Sequence, residues 1–140
     1  MLLEGLIAIL IFSLGILAVV GMQAMAVKQV SDAQYRSQAN LLVNQLLGTM
    51  WVSDRKPAAL QSKFSSDGVS EEAQPGSGTG YYSWLTSVSS ALPGVAENPP
   101  TVHVSTTGLV TVTVYWLAPN EPSTVAPHKY VSVAQITPST

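Results

Sequence analysis

Apolar residues run almost unbroken from position 5 to position 22, after which the pattern changes twice, first to steps of three and four residues and later to strict alternation. Within residues 5–22 the only polar side chain is Ser13, and the stretch is long enough to cross a hydrocarbon layer of roughly 30 Å. It reads as a membrane span. A cleaved secretory signal would have a shorter apolar region behind Lys or Arg and a small-residue cleavage site, whereas the first basic residue here is Lys28. Beyond Gln23 the chain becomes amphipathic. Val30, Ala33, Ala39, Leu42, Val43, Leu46 and Met50 form one stripe, with Gln29, Asp32, Arg36, Asn40 and Asn44 between them. No proline precedes Pro57, so a single helix is expected from Leu2 to about Val52, roughly 75 Å long. Gly5, Gly15 and Gly21 are its weak points, and any bend or unwinding is expected between Gly15 and Gly21.

Pro57 ends this pattern, and "SKFSSDGVSEEAQPGSGTG" reads as a polar surface loop without a period. "YYSWLTSVSSALPG" then sets Trp84, Leu85, Val88 and Leu92 at helical steps before a Pro-Gly stop, which predicts one short helix. In "GLVTVTVYWL" the spacing becomes two: Val110, Val112, Val114 and Trp116 take one face, and Thr111, Thr113 and Tyr115 take the other. "TVHVS" and "HKYVSVAQI" are the expected neighbouring strands. Thr107-Gly108 is expected to make the tight turn between the first two, and "APNEPSTVAP" is a longer connection to the third. The expected architecture is α+β, a long N-terminal helix with an apolar first half, packed through Ala39 to Met50 on a small antiparallel sheet. Residues 1–27 would form the membrane or core helix. Residues 28–140 would form an outer globular domain that includes the amphipathic half of the helix.

Composition narrows the functional classes. A net charge of −2 with scattered Lys and Arg offers no positive field for a polyanion, so no nucleic-acid partner is expected. The absence of cysteine excludes disulfides, thiol catalysis and cysteine metal sites. Glu71 and Glu72 are adjacent carboxylates in a Gly/Ser/Pro setting, better read as solvated than as an acid–base couple. His103 and His128 lie on or beside strands, with no sequence-local cluster of metal ligands. "PGSGTG" has the composition of a phosphate loop but no lysine and no strand-to-helix context. Tyr81, Tyr82, Trp84 and Trp116 are read as core or interface aromatics. No enzyme activity and no cofactor is expected.

"LLEGLIAILIFSLGILAVVGMQ" resembles the start of type IV pilins and pseudopilins, and within them is most similar to PilV-type minor pilins. A Trp-containing short helix, a Leu-Pro-Gly and "TVTVYW" follow in the same order. The resemblance implies a pilin-like fold and a structural role in a type IV pilus, with a part in priming assembly at a tip or initiation complex. It implies as partners other minor pilins, the major pilin and the pilus assembly platform. It places the chain in the bacterial inner membrane as a single-pass protein and then in the surface pilus, a fibre associated with adhesion and twitching motility. The family carries its glutamate at the fifth mature position behind an aromatic, methylated first residue. Here Glu4 is fourth, so one residue is expected ahead of Met1 in the processed protein. Gly21 stands where the family often has a helix-breaking proline, and no disulfide closes the C-terminal loop.

Glu4 has a physical reading of its own. A carboxylate costs about 2.5–3.5 kcal/mol at the centre of a membrane span and less near its end. It is accommodated either by reaching headgroup water or by pairing with a cation. The resemblance selects the second: the N-terminal amine of a neighbouring subunit, with Gly15 and Gly21 giving the helix room to extend on leaving the bilayer. Two alternatives stand beside this reading. One is a type II secretion pseudopilin, and the other is a non-polymerising bitopic protein whose outer domain binds a partner.

Overall fold

The computed structural model describes residues 1–66, 80–119 and 121–138. Its element order is α1 (Leu2–Val52), α2 (Pro57–Phe64), α3 (Gly80–Ala91), β1 (Thr101–Val104), β2 (Leu109–Trp116) and β3 (His128–Gln135). The three strands form one antiparallel sheet in the order β1-β2-β3. This is an α+β layout with a long apolar N-terminal helix. By contacts the chain divides into two units, Met1–Gln34 and Tyr35–Thr140. The change of composition after Val27 and this change of packing are different boundaries, because the first counts apolar side chains and the second counts what touches them.

The first unit is helix alone. Residues 1–30 are all exposed, the large apolar side chains from Leu2 to Val30 among them. The helix is continuous through Gly15 and Gly21.

In the second unit, Ala39, Leu42, Val43, Leu46 and Met50 of α1 are buried in one core with Val110, Val112, Val114 and Trp116 of β2. The expected stripe began at Val30, yet Val30 is 67% exposed and Ala33 is also exposed. The amphipathic spacing is real there, but among the described residues it leaves both side chains exposed. Ser53 closes the helix: its amide and its Oγ both donate to the Met50 carbonyl, at 3.2 and 2.9 Å.

Pro57 does more than end a pattern. The Lys56 amide donates to Asp54 Oδ1 at 3.1 Å, and Lys56 is extended, as a residue before proline must be. Pro57 then opens α2, where a missing N–H costs nothing. Leu60 and Phe64, one turn apart, are fully buried. The segment expected to be a loop from Ser62 onward therefore begins as the last turn of a helix. Its eight residues were too short to show a convincing period. α3 buries Tyr81, Trp84 and Val88 at helical spacing and stops before Pro93, as expected.

The sheet follows its alternation. Val110, Val112, Val114 and Trp116 are buried, opposite Ala134, Ser132, Tyr130 and His128 of β3. The β1–β2 turn sits one residue earlier than expected: the Gly108 amide donates to the Ser105 carbonyl at 3.0 Å, leaving Thr106 and Thr107 central. Gly108 is the left-handed residue after the turn, with φ 82°. A β-carbon there would also strike the Ile136 carbonyl, and the Gly108 carbonyl accepts the Ile136 amide at 2.9 Å.

Candidate functional site

The residues singled out by sequence lie in the first unit. α1 starts at Leu2, which puts Glu4 in its first turn, where the free amides at a helix N-terminus favour a negative charge. The backbone reason for helix here is plain: straight-chain and apolar residues with no proline, whose peptide groups all bond within the segment. Ser13, the lone polar side chain of the apolar stretch, donates to the Ile9 carbonyl at 2.7 Å and so adds no unpaired donor to this surface.

Gly5, Gly15 and Gly21 are helical, and a β-carbon added at any of them would meet nothing. Among the described residues, no packing requires glycine at these positions. Phe12, Gly15, Ile16, Val19, Val20 and Gln23 together line an open apolar groove along the helix. α1 is long and apolar enough to cross a membrane by length and composition. The surface can therefore do one of two things: face lipid, or face other helices of similar character.

The remaining candidates fall in the second unit or outside the described residues. Glu71 and Glu72 are outside them, as is most of "PGSGTG". His103 is exposed on the outer face of β1. His128 stacks on Trp116, with ring centroids 5.7 Å apart, and its Nε2 lies 3.0 Å from Oε2 of Glu121. The same carboxylate oxygen accepts the Ala118 amide at 3.4 Å. This arrangement links Glu121 of the β2–β3 connection to Ala118 and to the first residue of β3. Among the described residues, no group of three or more His, Cys, Asp or Glu could hold a metal ion.

The aromatics are structural. Trp84 is buried and its indole donates to the Leu42 carbonyl at 2.8 Å, linking α3 to the packed half of α1. The Tyr81 hydroxyl donates to the Pro100 carbonyl at 2.7 Å, and burial, with Tyr82 beside it, pushes this phenol above the ordinary tyrosine range.

No family model matches the chain, and neither a curated protein nor a solved structure matches it.

Proposed function

We propose that this chain is a minor pilin, a structural subunit that takes part in priming a type IV pilus within a tip or initiation complex. The observation that carries the reading is the combination in α1 of a carboxylate in the first turn with an apolar surface that stands exposed among the described residues. The opening "LLEGLIAILIFSLGIL" supports it through its resemblance to PilV-type proteins. In this reading the subunit waits in the inner membrane with residues 5–22 in lipid. It then passes into a filament, where the same surface packs against the helices of other minor pilins and the major pilin.

The exchange is physically reasonable because lipid and a helix bundle are both apolar, so packing and polar pairing decide between them. Glu4 pairs with the N-terminal amine of a neighbour and fixes axial register, a specificity role better attested for buried pairs than net stability. Gly15 and Gly21 let neighbouring helices approach and allow the helix to lengthen during transfer.

The test is mass spectrometry of the protein from sheared, purified surface filaments expressed from the full-length gene. The expected result is its presence there, with a methylated residue just ahead of Met1. Glu4→Ala is expected to leave the protein in the membrane but remove it from the filament. A processed form confined to the envelope favours the pseudopilin, and an unprocessed membrane protein indifferent to Glu4→Ala favours the simple anchor.

A further inference from the structure

The two edges of the sheet are treated differently. On β1 the outward-facing backbone groups are capped: the Val102 carbonyl accepts the Ser66 amide at 2.9 Å, the Val102 amide donates to Ser66 Oγ at 3.1 Å, and the Val104 carbonyl accepts Gln61 Nε2 at 2.8 Å. α2 and the residues after it close that edge.

Among the described residues β3 has no such cover. The Ile136 amide bonds the Gly108 carbonyl, so the antiparallel ladder turns the backbone groups of His128, Tyr130, Ser132 and Ala134 toward β2. Those of Lys129, Val131, Val133 and Gln135 point away from the sheet. Among the described residues these four backbone N–H and C=O sets make no hydrogen bond on that side. Edge strands of monomeric domains are normally blunted by proline, a bulge or inward-pointing charge. β3 carries eight regular residues with no proline and no bulge, its one edge lysine, Lys129, lies near its start, and Val131 and Val133 stand 48% and 58% exposed beside the edge.

We propose that this edge is a pairing surface for β3 of a second copy, which joins it antiparallel about a two-fold axis at Ser132. The sequence "HKYVSVAQ" complements itself in that register. Val131 falls opposite Val133 of the copy and Lys129 opposite Gln135, so all outward donors and acceptors are used and no like charges face each other. On the inner face Tyr130 falls opposite the small Ala134, which has room for a ring. The interface is isologous and closes on itself as one six-stranded sheet, which stops it from growing into a fibre. A two-fold axis normal to the sheet turns the packed part of the copy's α1 end for end.

The chain has no native cysteine, so single cysteines report register directly. In a non-hydrogen-bonded antiparallel pair, opposed Cα atoms lie about 4.5 Å apart, within the roughly 4.4–6.8 Å that a disulfide spans. Full-length Ser132→Cys, purified in detergent and mildly oxidised, is expected to dimerise about tenfold faster than Val131→Cys or Val133→Cys alone. A mixture of Val131→Cys and Val133→Cys is expected to cross-link to each other. These two sites are exposed, so this arm stands even if Ser132→Cys disturbs the inner face. Val133→Lys, added to the Ser132→Cys chain and to the Val131→Cys member of the mixture, is expected to abolish both cross-links. Light scattering of the unmodified chain is expected to show a concentration-dependent dimer that Val133→Lys removes. Equal cross-linking at positions 131, 132 and 133, or dimers indifferent to Val133→Lys, would move the contact elsewhere and overturn the proposal. A strictly monomeric chain with no cross-link would overturn it as well.

Discussion

The two halves of α1 share one continuous backbone helix and comparable apolar residues, yet Leu46 is 2% exposed and Leu10 is 62% exposed. The difference lies in what comes afterwards in the chain. Ala39, Leu42, Val43, Leu46 and Met50 share a core with α3 and the inner face of the sheet, while residues 1–30 are exposed among the described residues. A buried stripe therefore contributes to folding the outer unit, whereas an apolar surface with no internal partner contributes only when lipid or another subunit covers it. The comparison separates stability from assembly within a single helix.

The sharpest way to break it is a matched pair of truncations. Leu46→Ala should destabilise the outer unit by about 2–5 kcal/mol through lost transfer energy and a cavity. Leu10→Ala should leave the unfolding midpoint unchanged. Chemical denaturation in detergent, followed by the fluorescence of the buried Trp84 and Trp116, distinguishes the two. A large effect of Leu10→Ala would mean that the first half also holds the fold together.

Gly108→Ala tests whether the sheet beside the packed half depends on one backbone position. Its positive φ and the nearby Ile136 carbonyl predict a loss of about 1–3 kcal/mol, read by the same denaturation. Trp84→Phe removes the indole donor to Leu42 while keeping an aromatic ring. It should cost about 0.5–1.5 kcal/mol for the hydrogen bond, with some packing loss in addition.

Tyr81 adds a pH dependence confined to the outer unit. Its pKa is raised in the folded state, chiefly by burial, so the folded chain holds that proton more tightly than the unfolded one. The contribution is fully present below the unfolded tyrosine value near 10 and is lost as pH rises through the folded value. Stability should fall on the alkaline side in the native chain and fall less in Tyr81→Phe, measured by thermal melts across that range. The smallest effect is expected from Glu121→Gln. It weakens a link to a partly exposed His128, should change stability by about 0.2–1 kcal/mol, and should loosen the β2–β3 connection in hydrogen exchange.

Much of this architecture was legible in the pattern of side chains. The span of α1 followed from the absence of proline, α3 from Trp84 and Val88 ahead of a Pro-Gly stop, and β2 from its valines alternating with threonines. α2 was missed because Leu60 and Phe64 provide only one helical repeat within a polar stretch. The signal for it was Pro57 itself, which suits the first turn of a helix as well as it ends one. At the candidate site the place of Glu4 in the first turn of α1 was readable, because the start of a proline-free apolar helix is set by local sequence. The Glu121–His128 tie was not, since it joins two residues across a connection whose path no local pattern specifies.

What the sequence determined by itself is local: which residues share a helical or strand face, where proline and glycine interrupt, and that one segment is apolar enough to span a membrane. What only the tertiary structure decided is which of those faces are covered. It started burial at Ala39 instead of Val30, capped β1 with Gln61 and Ser66, and left the valines of β3 outward beside an open edge. Periodicity records that a face exists, but whether it is buried depends on where distant segments come to rest against it.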